Sequence, residues 1–156
     1  MPHFAPKSTL LCFDRQSVDS LHNCVASAGE RAGIYAKRAD GRGEARQLLA
    51  LSALHWLVGW TPDQRTLAYG VIEGTPSSIM ALTDGHSRRI VGPGSIWRGR
   101  LSRDGRWLAY YSLDSGNFEV YVTPFPDAAT RWLIADATDP AWASDGAELY
   151  YRSGPG

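Results

Sequence analysis

Hydrophobic and polar positions repeat along this chain with a period of 41 residues. The segments GWTPDQRTLAYG, RLSRDGRWLAYY and AWASDGAELYYR begin at Gly59, Arg100 and Ala141 and align without gaps. Large apolar residues hold the phase at two positions of the alignment: Trp60, Leu101 and Trp142 at one, and Leu67, Leu108 and Leu149 at the other. A period of about 20 to 50 residues is typical of solenoids and propellers.

Each repeat predicts four short β-strands. The first strand is centred on the Trp or Leu of the aligned segment, and the second contains Leu-Ala-Tyr or Leu-Tyr-Tyr. Apolar runs at 79–82 and 120–123 predict the third strand, and those around Ile90 and 132–134 predict the fourth. Short strands at regular spacing, separated by turn residues, indicate an all-β fold.

The first two strands of each repeat are separated by an acidic turn. Asp-Gly at 104–105 and 145–146 is a strong two-residue hairpin signal. The recurring carboxylates are therefore predicted to stabilise turns, together with the glycines that follow two of them: Asp63, Asp104, Gly105, Asp145 and Gly146. Gln64 replaces the glycine in the first copy, at a cost of about 1 kcal/mol if the turn needs a left-handed residue.

The second strands are apolar on both faces, which predicts sheets covered on both sides. A sandwich sheet would show one polar face, and a solenoid has shorter repeats. The pattern favours four-stranded antiparallel blades of a partial β-propeller, with about three blade equivalents.

The repeat also resembles a known family. The string W-T-P-D-x-x-x-L-A-Y from Trp60, followed by an I-Y-V-like strand, resembles the WD40-like repeat of TolB-like propellers. The stretch from Tyr110 onwards is similar to carboxy-terminal propellers of some bacterial serine/threonine protein kinases. The resemblance covers roughly 33–154, with departures at Gln64, Leu101, Arg103 and Ser144, and implies a binding or sensing surface without catalytic machinery.

The expected organisation is a lead-in followed by repeats. Residues 1–32 are irregular or degenerate, although 24–26 could occupy the Leu-Ala-Tyr slot. The repeats at 33–154 then divide into an outer half-blade, two blades and an inner half-blade: 33–49, 55–91, 96–134 and 140–152. A closed propeller has about four to eight blades. The chain is therefore expected to be a fragment of a larger propeller or one half of a homodimeric six-bladed ring.

Composition limits the partners. The chain has 156 residues, 44% of them hydrophobic, and its 16 basic and 16 acidic residues balance. No global field favours nucleic acid, and a solvated face explains the group at 98–106 better than a nucleic-acid site. No membrane span or export signal is visible. The compartment is undetermined, although relatives often work outside the cytoplasm. Cys12 and Cys24 are expected to be free thiols.

No catalytic, metal or cofactor site is predicted. His3, His22, His55 and His86 lack ligand spacing, and the adjacent residues at 84–87 cannot form a triad. The G-x-S-x-G elbow, the dinucleotide fingerprint and kinase motifs are absent from the sequence.

Binding is expected at loops that open the inner strands, around the mouth of the channel. The candidate positions there are His55, Trp56, Trp97, Arg98 and Asp139. The leading hypothesis is a non-catalytic module that binds a protein, peptide or ligand. The resemblance to kinase-attached propellers implies that it is the sensor portion of a bacterial serine/threonine kinase. The alternatives are an accessory propeller of a prolyl-oligopeptidase-like hydrolase and a truncated propeller without independent function.

Overall fold

A computed structural model describes residues 10–12, 21–26, 33–38, 42–51, 53–72 and 76–153. The regular elements in these ranges are all strands. They are β1 (Leu10–Cys12), β2 (Leu21–Ala26), β3 (Gly33–Arg38), β4 (Arg46–Ala50), β5 (Leu54–Trp60), β6 (Thr66–Ile72), β7 (Ser77–Thr83), β8 (His86–Gly94), β9 (Ile96–Leu101), β10 (Trp107–Ser112), β11 (Glu119–Pro124), β12 (Trp132–Asp136), β13 (Thr138–Trp142) and β14 (Leu149–Arg152). None of the described residues belongs to a helix long and apolar enough to cross a membrane.

The chain divides into two compact units, residues 1–57 and 58–156. The first unit holds a four-stranded sheet of order β1-β2-β3-β4. This differs from the expected lead-in over 1–32 and half-blade over 33–49, because β1 and β2 precede residue 33 and complete the sheet. The backbone of β2 pairs with β3 along its whole length, from Leu21 opposite Arg38 to Ala26 opposite Gly33. Backbone pairing needs no strong side-chain pattern, so the sequence signal for β2 was weak.

The remaining strands form two more four-stranded sheets and a two-stranded one. Their orders are β5-β6-β7-β8, β9-β10-β11-β12 and β13-β14, so strands that follow one another in sequence are also neighbours in each sheet. The predicted third and fourth strands of both full repeats are confirmed by β7, β8, β11 and β12. An all-β architecture of four-stranded antiparallel blades is therefore correct.

Within the second unit, the first strand of each later sheet lies against the sheet that precedes it. Strand β9 lies against β6 and β7 of the preceding sheet, and β13 lies against β9 and β10. The repeated apolar slot makes part of this contact. Leu101 faces Gly59, where an added Cβ would lie 3.6 Å from the Leu101 Cβ. In the next repeat, the Trp142 indole nitrogen donates to the Arg100 carbonyl over 3.0 Å.

The Leu-Ala-Tyr motif forms the centre of the core. Leu67, Ala68, Leu108 and Ala109 are all fully buried. Both faces of β6 and β10 are therefore covered, as their continuous apolar pattern predicts.

The acidic turns differ from the two-residue hairpins expected at 104–105 and 145–146. In each, four residues separate the closing pair, as shown by the bond from Ser102 N to the Trp107 carbonyl (2.8 Å). The third of these four residues is left-handed in all three copies, with φ of 57° at Gln64, 70° at Gly105 and 75° at Gly146. A two-residue Asp-Gly turn does occur, at 84–85, where it joins Thr83 to His86.

Candidate functional site

The repeated aspartates are engaged within their own turns. The Oδ1 atom of Asp104 accepts from the Ser102 hydroxyl (2.6 Å) and from the Arg106 backbone N–H (3.1 Å). Asp63 makes the equivalent bonds with Thr61 and Arg65, and Asp145 accepts from the Ala147 backbone. The Ser102 hydroxyl and then the Arg106 groups lower the pKa of Asp104 to about 2. Bonds from Thr61 and then Arg65 lower the pKa of Asp63.

The five predicted binding positions lie on strands, whereas the sequence predicts them in loops. His55 and Trp56 belong to β5, Trp97 and Arg98 to β9, and Asp139 to β13. The reason is that each inner strand begins earlier than its apolar centre suggests, so the residues before that centre already belong to the strand.

His55 and Trp56 are half-buried in the first unit. The two His55 ring nitrogens lie 2.8 Å from the Ala53 carbonyl and 3.2 Å from the Gly33 carbonyl. The neutral ring donates to only one of these at a time. The Trp56 indole nitrogen is buried with no hydrogen-bond partner among the described residues. The His55 ring therefore contacts the backbone of its own unit.

Arg98 and Asp139, in contrast, occupy equivalent β-bulges 41 residues apart. Ala109 lies opposite Arg100 and Tyr111 opposite Trp97, so Arg98 and Gly99 together face one residue of β10. In the next sheet Asp139 and Pro140 face one residue of β14 in the same way. The bulge residues are left-handed, with φ of 34° at Arg98 and 52° at Asp139. For a residue with a side chain this costs about 1 kcal/mol or more.

The bulges contribute to a cleft in which charged side chains meet. The Arg98 Nε lies 3.8 Å from Asp139 Oδ1, and the Arg152 Nη2 lies 2.8 Å from Asp139 Oδ2. Their side chains remain accessible, at 66% for Arg98, 71% for Arg152 and 36% for Asp139. We call this the arginine cleft; it has a volume of about 370 Å³ and is lined by Arg98, Arg100, Asp139, Pro140, Ala141 and Arg152.

Burial and the charges of the arginine cleft shift the pKa values of two of its neighbouring groups, Arg100 and Tyr111. Partial burial, and then the neighbouring Arg98 charge, lower the pKa of Arg100, although an arginine stays protonated at any physiological pH. Burial, and then the Asp139 carboxylate, raise the pKa of the Tyr111 hydroxyl. Tyr111 therefore remains a neutral phenol beside the charged groups.

Sequence reasoning missed three members of this neighbourhood: Arg100, Tyr111 and Arg152. Arg100 was part of the group at 98–106, but that group separates in the structure. Arg103 donates to the Ser144 carbonyl (3.1 Å), and Arg106 pairs with Asp104 (2.7 Å). The available signal for Arg152 was its repeat position, since it is 41 residues after Tyr111. Within the described ranges, no group of His, Cys, Asp and Glu side chains could hold a metal ion.

The fold is similar to that of solved β-propeller proteins. A protein assigned as TolB from Agrobacterium tumefaciens matches with a TM-score of 0.73 and 21% identity, over 85% of this chain and 50% of that one. TolB from Acinetobacter baumannii matches with a TM-score of 0.68 and 21% identity, over 83% and 34%. A puromycin-hydrolysing peptidase from Mycobacterium tuberculosis matches with a TM-score of 0.60 and 20% identity, over 85% and 26%.

These similarities concern the fold alone. The chain spans between about a quarter and a half of the length of these three proteins. No protein-family model matches the chain, and no curated protein matches it in sequence. The four-stranded antiparallel sheets of this chain resemble the blades of the TolB β-propeller.

Proposed function

We propose that this chain is a non-catalytic binding module whose partner is a protein or peptide that docks at the arginine cleft. The cleft carries the proposal, because it combines accessible guanidinium groups with a bulged, strained backbone at the inner strands of two successive sheets. Bulges commonly re-aim side chains next to functional sites. Trp97, which precedes Arg98 on β9, is 44% exposed.

The composition of the cleft supports binding in preference to catalysis. Its polar side chains are arginines, which do not act as bases at physiological pH, and one aspartate already paired with two of them. A nucleophilic or acid–base mechanism needs a nucleophile within reach of a group that can accept its proton. Arginine and tryptophan are, in contrast, the residues most enriched among those that dominate binding energy at protein interfaces.

A second candidate is an accessory propeller of a hydrolase. The fold similarity to the puromycin-hydrolysing peptidase supports it, since this chain corresponds to 26% of that protein. A third candidate is the sensor portion of a bacterial serine/threonine kinase. The repeat's resemblance to kinase-attached propellers supports it. In all three proposals this chain supplies recognition, and any catalytic residues lie in another domain.

Selection of peptide ligands tests the proposal. A displayed random-peptide library is selected on the purified chain, and the dissociation constants of the enriched peptides are then measured for the wild type and for Trp97→Ala. We expect peptides that lose about 30-fold in affinity with the variant, which corresponds to roughly 2 kcal/mol for a residue central to an interface. Arg89→Gln is the control, because Arg89 is exposed on β8 and, unlike Trp97, is not adjacent in sequence to a residue that lines the cleft.

Either of two results would contradict the proposal: no peptide is enriched, or the enriched peptides bind Trp97→Ala as tightly as the wild type.

Light scattering on the same sample tests the homodimeric ring. A particle of twice 17.1 kDa supports a ring of two chains, and a particle of 17.1 kDa rejects it.

A further inference from the structure

The arginine cleft has an excess of positive charge. Three guanidinium groups, those of Arg98, Arg100 and Arg152, accompany a single carboxylate, that of Asp139. Like charges repel, and the Arg98 charge, after partial burial, contributes to the lowered pKa of Arg100. An additional anion in the cleft would relieve this repulsion.

The guanidinium groups also retain hydrogen-bonding capacity. Each carries several N–H donors in a planar fork. Arg100 donates from Nη1 to the Gly99 carbonyl (3.1 Å), and Arg152 uses Nη2 toward Asp139. Arg98 meets the same carboxylate only at 3.8 Å, which is too long for a hydrogen bond. The Arg98 guanidinium also has a hydrogen bond with the Tyr111 hydroxyl. Because each guanidinium group carries five N–H donors, donors that these contacts do not use can reach an acceptor that enters the cleft.

The carboxylate of Asp139 shows which ligand geometry fits. Its two oxygens reach in different directions, Oδ1 toward Arg98 on β9 and Oδ2 toward Arg152 on β14. One planar anion thus already bridges arginines from two successive sheets. Guanidinium forks can match carboxylate and phosphate oxygens more closely, through paired charge-assisted hydrogen bonds.

The backbone holds these groups in place. Arg98 and Asp139 both occupy left-handed bulge positions that favour glycine, yet each carries a charged side chain. Backbone strain of this kind is common at ligand-binding sites.

We propose that the arginine cleft is an oxyanion-binding site in which Arg98, Arg100 and Arg152 bind a carboxylate or phosphate group of the ligand. Asp139 acts as a positioning residue that orients Arg98 and Arg152 and weakens binding by competing for their donors. This deepens the proposed function, since it rests on the cleft being the docking site and names the chemical group recognised there.

Titration with small anions tests this site without any protein partner. Acetate, citrate and inorganic phosphate are added separately at low ionic strength, and the Arg side-chain Nε–Hε resonances of the purified chain are followed by NMR. We expect saturable shifts of the Arg98, Arg100 and Arg152 signals and none for Arg89. Because exposed charges are screened by salt, the affinity falls when an inert salt is added.

Three variants separate binding from structure. Arg100→Gln and Arg152→Gln are each expected to weaken anion binding about tenfold, as loss of a charge-assisted hydrogen bond would. Asp139→Asn is expected to strengthen it several-fold, because it removes the competing charge while keeping a side chain of similar size. A merely structural role for Asp139 would leave affinity unchanged or lower it. Circular dichroism and thermal unfolding of each variant establish that it is folded.

The outcomes are distinct from those of the peptide selection. Saturable anion binding that depends on the cleft arginines supports the site even if no peptide is enriched. Enriched peptides combined with no saturable shift, or with equal anion affinity in wild type and Arg152→Gln, would overturn the oxyanion site and leave the peptide-binding proposal standing. Preference for phosphate over citrate and acetate would assign a phosphorylated ligand, and the reverse a carboxylate.

Discussion

Two sheets of this protein carry the same repeat, but their second strands, β10 and β14, differ in how deeply they are buried. In the third sheet Leu108 and Tyr110 of β10 are almost completely buried, with 0% and 1% of their surface exposed. In the two-stranded sheet, Tyr150 and Tyr151 of β14 are 59% and 45% exposed. The sequence motif is Leu-Ala-Tyr in one and Leu-Tyr-Tyr in the other, at equivalent positions of the repeat.

The neighbours of each strand explain the difference. Tyr110 stacks on Tyr121 of β11, with ring centroids 5.7 Å apart, and β9 pairs with the other edge of β10. Among the described residues β14 pairs with β13 alone. An apolar pattern therefore predicts which residues can form a core, whereas burial requires that both edges and both faces are occupied. The accessibility of β14 also leaves Arg152 free to reach the arginine cleft, where its repeat equivalent Tyr111 is half-buried.

Truncation of the repeated leucine should show this contrast most strongly. Leu108→Ala removes a fully buried side chain and is expected to lower the free energy of unfolding by about 2 to 5 kcal/mol. Leu149→Ala, at the equivalent half-buried position of β14, is expected to cost less than about 1.5 kcal/mol. Urea denaturation followed by tryptophan fluorescence measures both. Equal losses would mean that β14 is packed as tightly as β10.

The turn glycines should give a smaller contrast. Gly105 and Gly146 share a left-handed φ, so alanine at either is expected to cost about 1 kcal/mol. At Gly105 the new Cβ would also lie 2.6 Å from Pro62 Cδ in the preceding sheet, whereas nothing lies within 4 Å at Gly146. Gly105→Ala should therefore cost about 1 kcal/mol more than Gly146→Ala in the same denaturation experiment.

The reverse substitution at the first turn provides the control. Gln64 has a φ of 57°, and Gln64→Gly should raise the free energy of unfolding by up to about 1 kcal/mol. Destabilisation by Gln64→Gly would show that contacts of the Gln64 side chain outweigh its backbone strain.

The smallest expected effect is the acid dependence of the turn aspartate. The folded pKa of Asp104 is about 2, below the usual 3.8, so its stabilisation is present above about pH 4 and is lost as the pH falls toward 2. Since the side chain is 45% exposed, solvent screening keeps the effect below about 1 kcal/mol.

Comparison of wild type with Asp104→Asn isolates this contribution, because other titrating groups are common to both. Wild type should be more stable near neutral pH, and the difference in the free energy of unfolding should shrink as the pH approaches 2. A difference independent of pH would assign the effect to the shape of the turn instead of its charge.

Much of the fold was predictable because it is repeated. An apolar residue that recurs at an equivalent position, such as Leu67 and Leu108, strengthens the prediction of a strand in both repeats. The third and fourth strands follow from the same period. The binding candidates were only partly predictable. Arg98 and Asp139 lie 41 residues apart in sequence and meet in one cleft, whereas the structure places His55 and Trp56 in the packing of the first unit. Sequence spacing indicates which residues are equivalent but not which side chains converge.

The sequence by itself determined the all-β architecture, the strand order within each repeat and the acidic turns, because these depend on local periodicity and turn chemistry. Tertiary structure decided the rest. It paired β1 with β2 and β2 with β3, and it formed four-residue turns where an Asp-Gly pair suggested two. It also inserted the bulges that bring Arg98 and Asp139 together. Register and bulges depend on how neighbouring strands and sheets fit together. Their free energy comes from contacts between segments distant in sequence, so no single segment predicts them.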